Sequence, residues 1–292
     1  MKPASTLIIG IDGGGTGCRV AIADKDGTVL GTASAGPANY TTDPDMALRN
    51  ILTALTDATQ AAGLSKDRAA HATAHVGLAG IVTPEAATAL AADLPFGACV
   101  VSDDQLTSVI GALGDRDGAV VSVGTGSFVA VKKGTEIRYI GGWGLHLGDQ
   151  ASGAWLGRQA LQRGALVLDG LADSSDLIDT LLARFNSNPG HLIAFAAKAT
   201  ASAYAELARP VFAAANARDP NGVILVQDGA KYLNLCLQSA HLADTHVICL
   251  TGGLGPSYAQ WLKLAHQARI VSPSGAALDG ALQLARRRAD QQ

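Results

Sequence analysis

Two short segments combine glycine, threonine and a carboxylate in a pattern suited to phosphate chemistry. Residues 10–17 read Gly-Ile-Asp-Gly-Gly-Gly-Thr-Gly, and residues 123–127 read Val-Gly-Thr-Gly-Ser. Aligned without a gap, Gly15-Thr16-Gly17 falls on Gly124-Thr125-Gly126, and Val20-Ala21-Ile22 on Val129-Ala130-Val131. Each glycine run lies between two apolar stretches of strand length, so each is expected to form the tip of a β-hairpin. Without a Cβ, glycine lets the backbone come close to a ligand, and successive N–H groups make a concavity for an anion. Gly14, Gly15, Thr16, Gly124, Thr125 and Gly126 are therefore candidates for holding a polyphosphate, with the threonine hydroxyls as extra donors. Asp12 is the only charge in the first tip. A carboxylate beside phosphates repels them unless a cation intervenes, which makes Asp12 the candidate anchor of Mg²⁺, an ion commonly held by one or two carboxylates plus substrate phosphates. Glycines that merely make tight turns would account for one tip, but not for a repeat carrying both threonines and the aspartate.

The elements that must position these residues follow from the hydrophobic pattern. Strands are expected over 7–12, 19–24 and 28–35, the last two joined at Lys25-Asp26-Gly27. A helix is expected over 44–62, with Asp43 as N-cap and Gly63 as its stop, because Ala47, Leu48, Ile51, Leu52 and Leu55 recur at helical spacing. A buried strand over 74–78, a short helix, a strand over 99–102 and a helix from Asp104 follow. The pattern then restarts with strands over 119–123, 128–132 and 137–140. A long helical stretch over 149–242, broken near Gly170, Pro189 and Pro220, leads to a strand over 246–250, the turn Thr251-Gly252-Gly253, another helix, a short strand over 269–271 and a final helix from Gly275. Two βββαβα-type halves imply a duplicated α/β fold with a cleft between two lobes. The lobes are expected over 1–115 and 116–275, with the last helix, 276–292, a candidate to pack back on the first.

Composition narrows the function classes. With 292 residues, 48% hydrophobic and 16% charged, the chain is globular and long enough for two cores. A net charge of −3 argues against nucleic acid or an anionic membrane as partner. No apolar run reaches the roughly 18 residues that span a bilayer, and one lysine followed at once by the first strand leads us to expect no signal peptide. Cys18, Cys99, Cys236 and Cys249 are scattered, without metal or disulfide spacing, so free thiols in a cytoplasmic protein are expected. His71 and His75 lie in a segment that reads as a strand and are taken as structural or exposed. The P-loop pattern is absent, and no strand is followed by a Rossmann glycine fingerprint.

These motifs together resemble the actin-like ATPase superfamily, and within it the BadF/BadG/BcrA/BcrD ATPase family, in particular its N-acetylglucosamine and glucosamine kinase branch. The resemblance spans nearly the whole chain. Asp12-Gly-Gly-Gly-Thr16 resembles the first phosphate motif and Gly124-Thr-Gly-Ser127 the second. Gly36-Pro-Ala-Asn39 is similar to the segment whose Asn touches a sugar, Gly77-Leu-Ala-Gly80 to a strand end at the cleft, and Ser102-Asp103 to the motif of the catalytic base. Gly141-Gly-Trp-Gly144 with Gly148-Asp149 resembles the sugar-binding stretch, and Thr251-Gly252-Gly253 the adenosine motif. The order of seven motifs is specific where each alone is weak. One departure is clear: where the family reads Gly-Asp-Glu-Gly-Ser, this chain reads Gly148-Asp149-Gln150-Ala151-Ser152, which puts substrate choice in question.

The resemblance implies a duplicated ribonuclease H-like fold with ATP and substrate between the lobes. It implies phosphoryl transfer from ATP, with Mg²⁺, to the 6-hydroxyl of N-acetylglucosamine or glucosamine, by a homodimer. Phosphoryl transfer needs positioning and charge neutralisation and a proton acceptor for the attacking hydroxyl. Asp103, at the carboxyl end of a strand where α/β folds place ligands, is the candidate base; the plainer role for Asp103 or Asp104 is a helix N-cap. Asn39 and Asp149 have the donor and acceptor capacity for vicinal sugar hydroxyls. Trp143 stacks on the pyranose or fills the lobe interface, Trp155 reads as core, and Thr125 serves phosphate or sugar. Gly252 and Gly253 open the backbone to adenine or ribose, or simply turn the chain. Lobe closure would exclude water, so little hydrolysis is expected without sugar. Two rival readings stand beside this one: an iron–sulfur ATPase that activates an acyl-CoA dehydratase or reductase, which needs cysteine ligands, and a non-catalytic nucleotide or sugar sensor.

Overall fold

A computed structural model describes residues 6–291. The chain divides into two compact units, one formed by the chain up to Asp115 together with the segment from Pro273 onward, the other by Arg116–Ser272.

The first unit opens with β1 (Leu7–Gly13), β2 (Cys18–Asp24) and β3 (Val29–Ala35), followed by α1 (Pro44–Ala61), α2 (Lys66–Ala70), β4 (Thr73–Leu78), α3 (Pro84–Asp93), β5 (Ala98–Ser102) and α4 (Asp104–Leu113). Its sheet has the order β3-β2-β1-β4-β5. β1 pairs antiparallel with β2 but parallel with β4, which is itself parallel to β5. β1 and β4 are buried at every position, as expected of parallel strands covered on both faces. α1 supplies one cover through Ile51, Ala54, Leu55 and Ala58, which share a core with Ile9, Ile11, Val20 and Ile22. On the other face, a Cβ on Gly10 would lie 2.8 Å from the Leu282 amide nitrogen, so glycine here lets the C-terminal helix sit directly on the strand.

The second unit repeats the plan with β6 (Gly118–Val123), β7 (Ser127–Lys133) and β8 (Glu136–Gly141), then α5 (Gly153–Leu168), α6 (Asp176–Ala183), α7 (Pro189–Ala196), α8 (Ala201–Ala205), α9 (Ala208–Asn216) and α10 (Pro220–Ser239). β9 (Val247–Thr251), a 3₁₀ helix (Gly255–Trp261) and α11 (Leu264–Gln267) complete it, and α12 (Ala277–Ala289) returns to the first unit. The sheet order is β8-β7-β6-β9, with β6 antiparallel to β7 and parallel to β9. This matches β3-β2-β1-β4 strand for strand.

Four local expectations differ from the structure. Residues 149–152 form a turn, and the following helical stretch is cut twice more, at residues 206–207 between α8 and α9 and before α8, where Thr200 accepts the Ala203 amide as an N-cap; a capped break without Gly or Pro is hard to see in an alanine-rich run. The element after Gly253 is a 3₁₀ turn before the four-residue α11. The expected strand over 269–271 is reduced to a single parallel bridge between Ile248 and Ile270, although it occupies the place that β5 has beside β4. His71 is the C-cap of α2, while His75 lies buried in β4.

Candidate active site

In the first unit, three parallel strands bring the singled-out residues to one sheet edge. The register pairs Asp12 with Gly77 and Gly77 with Ser102, so the ends of β1, β4 and β5 lie level. Asp12 and Ser102 are thus separated by one strand, about 10 Å at the usual strand spacing. Between β1 and β2 the tip closes through the Gly14 amide, which donates to Gly17 O at 2.9 Å, and the Ala38 amide donates to Gly14 O at 2.9 Å. Gly15 and Thr16 are exposed. Asn39 forms an isolated bridge with Ala79 just beyond β4. Its Oδ1 accepts the Thr42 amide at 3.1 Å, so its amide N–H groups are what it can offer a ligand.

Asp103 is the N-cap of α4: Oδ1 accepts the Leu106 amide at 2.8 Å. One carboxylate oxygen caps while the other is available to a hydroxyl, so capping and proton acceptance are compatible. The Ser102 hydroxyl donates to Asp103 O at 2.9 Å, and His75 Nε2 lies 3.1 Å from that hydroxyl oxygen. With the hydroxyl proton committed to the carbonyl, His75 Nε2 is the donor. Burial, followed by the charge of Arg288, lowers the His75 pKa to about 4, so the imidazole is neutral. The sequence reading missed this support, and it missed two charges. Arg19 forms an ion pair with Asp12 Oδ2. Asp104 is pushed up to about 6, by burial first and by the neighbouring Asp103 charge next, with a further contribution from Asp12. The signal for Arg19 was its place at the start of β2, where an antiparallel hairpin must set it opposite Asp12.

The second unit gathers its residues in the same way. The tip at 124–126 ends β6, and Thr251, paired with Ser122, ends the parallel β9. The first amides of α5 grip the tip: Gly153 N donates to Gly124 O at 2.8 Å and Ala154 N to Thr125 O at 3.2 Å. Asp149 is buried beside the tip, its Oδ1 accepting the Gly144 amide at 3.1 Å. Burial raises its pKa, opposed by hydrogen bonds from the Gly144 and Ser127 amides. Trp143 is 72% exposed, so its indole is not part of its own unit's core; Trp155 packs against that core.

The glycines sort into two groups. At Gly14, Gly15, Gly124 and Gly253 an added Cβ would meet nothing within 4 Å, and none of the four has a positive φ. Neither packing nor backbone conformation requires glycine there. Gly252 is different: φ is +77°, and a Cβ would lie 2.3 Å from Val123 O, so its glycine is needed by the fold itself.

A family model, that of the BadF/BadG/BcrA/BcrD ATPase family, matches residues 9–282. The chain belongs to this family. It is 32% identical over 280 residues to the glucosamine kinase GspK of Vibrio cholerae, with 95% of each chain covered. Among solved structures it is similar to one described as an N-acetylglucosamine kinase from Chromobacterium violaceum, with a TM-score of 0.86, 32% identity, and 97% of this chain and 100% of that chain covered. A ROK family glucokinase from Streptomyces griseus, solved with glucose and AMPPNP, shares the fold at a TM-score of 0.58 and 20% identity, covering 96% of this chain and 99% of the other.

The thiols bear on the iron–sulfur reading. Cys18, Cys236 and Cys249 are buried and Cys99 partly so. Burial pushes Cys18 up to about 12 and Cys99 up to about 11. Among the described residues no group of three or more His, Cys, Asp or Glu could hold a metal ion. No described helix is long and apolar enough to cross a membrane.

Proposed function

We propose that this chain is an ATP-dependent amino-sugar kinase that transfers the γ-phosphoryl group to the 6-hydroxyl of N-acetylglucosamine or glucosamine. The observation that carries the reading is the set of glycines at 14, 15, 124 and 253, which the protein's own atoms do not require. Their use is explained if a ligand needs the backbone bare, and the exposed Thr16 and Thr125 beside them supply hydroxyl donors. In this reading Gly14, Gly15 and Thr16, with Gly124, Thr125 and Gly126, bind phosphate oxygens, and Gly253 admits the adenosine while Gly252 shapes that turn. The similarity to the Vibrio cholerae and Chromobacterium violaceum proteins supports the amino sugar as acceptor.

Asp103 takes the proton of the attacking hydroxyl through its non-capping oxygen, with Ser102 and His75 fixing the peptide that carries it. Asn39, Thr125, Trp143 and Asp149 hold the sugar: the Asn39 amide donates, the Asp149 carboxylate accepts, and the exposed indole offers an apolar face. The residues present fit Mg²⁺ as an ion carried mainly by phosphates. Asp12 supplies one carboxylate, its ion pair with Arg19 is made through Oδ2, and no cage of protein ligands is needed. Bound there, Mg²⁺ would neutralise charge on the β- and γ-phosphate oxygens. The reading carries with it a cytoplasmic homodimer, in keeping with four free cysteines. The buried thiols disfavour the electron-transfer ATPase, and the intact Asp12 and Asp103 disfavour a sensor.

The test is ADP release with ATP and Mg²⁺, comparing glucosamine, N-acetylglucosamine, glucose and no sugar. Turnover dependent on one amino sugar is expected. Hydrolysis that no sugar stimulates would sink the reading.

A further inference from the structure

We propose that Tyr258 is a positioning residue for the Asp149 carboxylate, acting by holding the 149–151 turn in a backbone conformation that its sequence disfavours. The identity of what Asp149 touches rests on the amino-sugar kinase reading, whereas the strain and hydrogen bonds that carry the inference do not.

Asp149 has φ +56° and Ala151 φ +72°. This left-handed region is unfavourable for L-residues because Cβ crowds the following carbonyl. Aspartate tolerates it through local hydrogen bonds, but alanine has no such compensation, and the family pattern has glycine at this place. Ala151 is fully buried, so the turn persists only because its surroundings impose it. Two hydroxyls do so directly: Ser127 Oγ donates to Gln150 O at 2.7 Å, and Tyr258 Oη donates to Ala151 O at 2.9 Å.

Tyr258 is well placed to act as a fixed post. It lies in the 3₁₀ helix, is fully buried, and meets the Phe212 ring edge-on with centroids 4.9 Å apart. On α10, a Cβ at Gly229 would fall 2.3 Å from Tyr258 Oη and 3.2 Å from Ala151 Cα. Three elements therefore converge where the phenol meets the turn. Burial raises the phenol pKa far above its usual value, so it remains a donor. At the other end of the turn, the Ser152 amide donates to Asp149 O at 3.0 Å, and Asp149 Oδ2 lies 2.8 Å from where a Gly126 Cβ would stand. Release of Ala151 is thus felt at the carboxylate and at the phosphate tip beside it.

The experiment is a cycle of wild type, Tyr258→Phe, Ala151→Gly and the double variant, with sugar kinetics and thermal denaturation on each. Tyr258→Phe keeps the ring and removes only the donor. It is expected to raise the KM for the amino sugar about 10-fold, with kcat changed less than about 3-fold and the KM for ATP raised less than that for the sugar. Glycine adopts a positive φ freely, so the double variant should return the sugar KM to within about 2-fold of wild type. Ser127→Ala, rescued by Ala151→Gly in the same way, serves as the second probe should Tyr258→Phe fold poorly. A purely structural Tyr258 would lower the Tm and leave the sugar KM of the folded enzyme alone. An unchanged sugar KM in Tyr258→Phe, or a raised one that glycine does not rescue, would overturn the proposal. If the wild type phosphorylates no amino sugar, the functional reading fails while the clamp stays testable through the melts. Ala151→Gly should then raise the Tm more with the Tyr258 hydroxyl present than without it, and additive shifts would count against the clamp.

Discussion

Replacing Asp103 by asparagine, serine and alanine separates the capping duty seen in the structure from the proposed duty of base. As N-cap, Asp103 accepts the Leu106 amide at 2.8 Å through Oδ1. Asparagine and serine cap about as well as aspartate, whereas alanine costs about 1 kcal/mol, within a range of roughly 0.5–2 kcal/mol. That corresponds to a fall in Tm of a few degrees. As base, the carboxylate is expected to contribute about 10²–10⁴-fold, equivalent to roughly 2.7–5.5 kcal/mol of barrier. The two duties therefore differ in size and in which substitutions remove them. Asp103→Asn should hold the Tm within about 2 °C and lose at least about 100-fold in kcat, measured by ADP release with the preferred amino sugar. Asp103→Ser should behave alike, and Asp103→Ala should add the loss in Tm without a much larger loss in kcat. The neighbouring Asp104 gives an internal check. The Asp103 charge is the second cause of its raised pKa, so neutralising residue 103 should bring the Asp104 carboxyl back down, as read by carbon NMR. An Asp103→Asn enzyme within about 10-fold of wild type would refute the base. An Asn variant destabilised as much as the Ala variant would show that lost folding, not lost chemistry, explains any fall in rate.

The glycines give a contrast of the opposite kind. Gly14→Ala and Gly124→Ala should leave stability unchanged or raise it by up to about 1 kcal/mol while raising the KM for ATP. Gly252→Ala should cost at least about 1–2 kcal/mol from its positive φ alone, since φ is +77° and Val123 O lies 2.3 Å from the added carbon; thermal melts beside ATP titrations separate the two classes. Asp104 and His75 pull stability in opposite directions across overlapping pH windows. Asp104, raised from 3.8 to about 6, binds its proton more tightly when folded, so stability falls as pH rises through that interval. Asp104→Asn should therefore stabilise the protein above pH 6, by at most about 3 kcal/mol and less in proportion to the water reaching the carboxylate, and should do little near pH 4. His75, lowered from 6.5 to about 4, protonates more readily when unfolded, so its contribution is lost as pH falls through that interval. His75→Gln should flatten the acid side of the denaturation profile, and an unchanged profile would argue against a buried neutral imidazole.

The strand skeleton was legible because its signals are local. Alternating and continuous apolar runs marked all nine strands among the described residues to within a residue or two. Asp43 and Gly63 bounded α1 as expected, the first accepting the Met46 amide and the second with φ +65°. The repeat of the glycine tips revealed the duplication, and two sheets of matching order follow from it. Less was legible in the helical region after Ala151, where alanine-rich turns hide caps such as Thr200.

The sequence by itself determined which residues could do chemistry: two glycine tips, a carboxylate at a strand end, and an ordered set of motifs that places the chain in its family. These depend on residue type and spacing, and spacing along a strand or turn is fixed by covalent geometry. Only the tertiary structure decided what surrounds them. It paired Asp12 with Arg19, set neutral His75 behind Ser102, buried Asp104 beside Asp103, and held Ala151 in a left-handed turn under the Tyr258 phenol. Each of these pairings except the neighbouring aspartates joins residues on different strands or elements. Burial and charge, which set the pKa values, and the packing that imposes an unfavourable φ arise only when those elements come together.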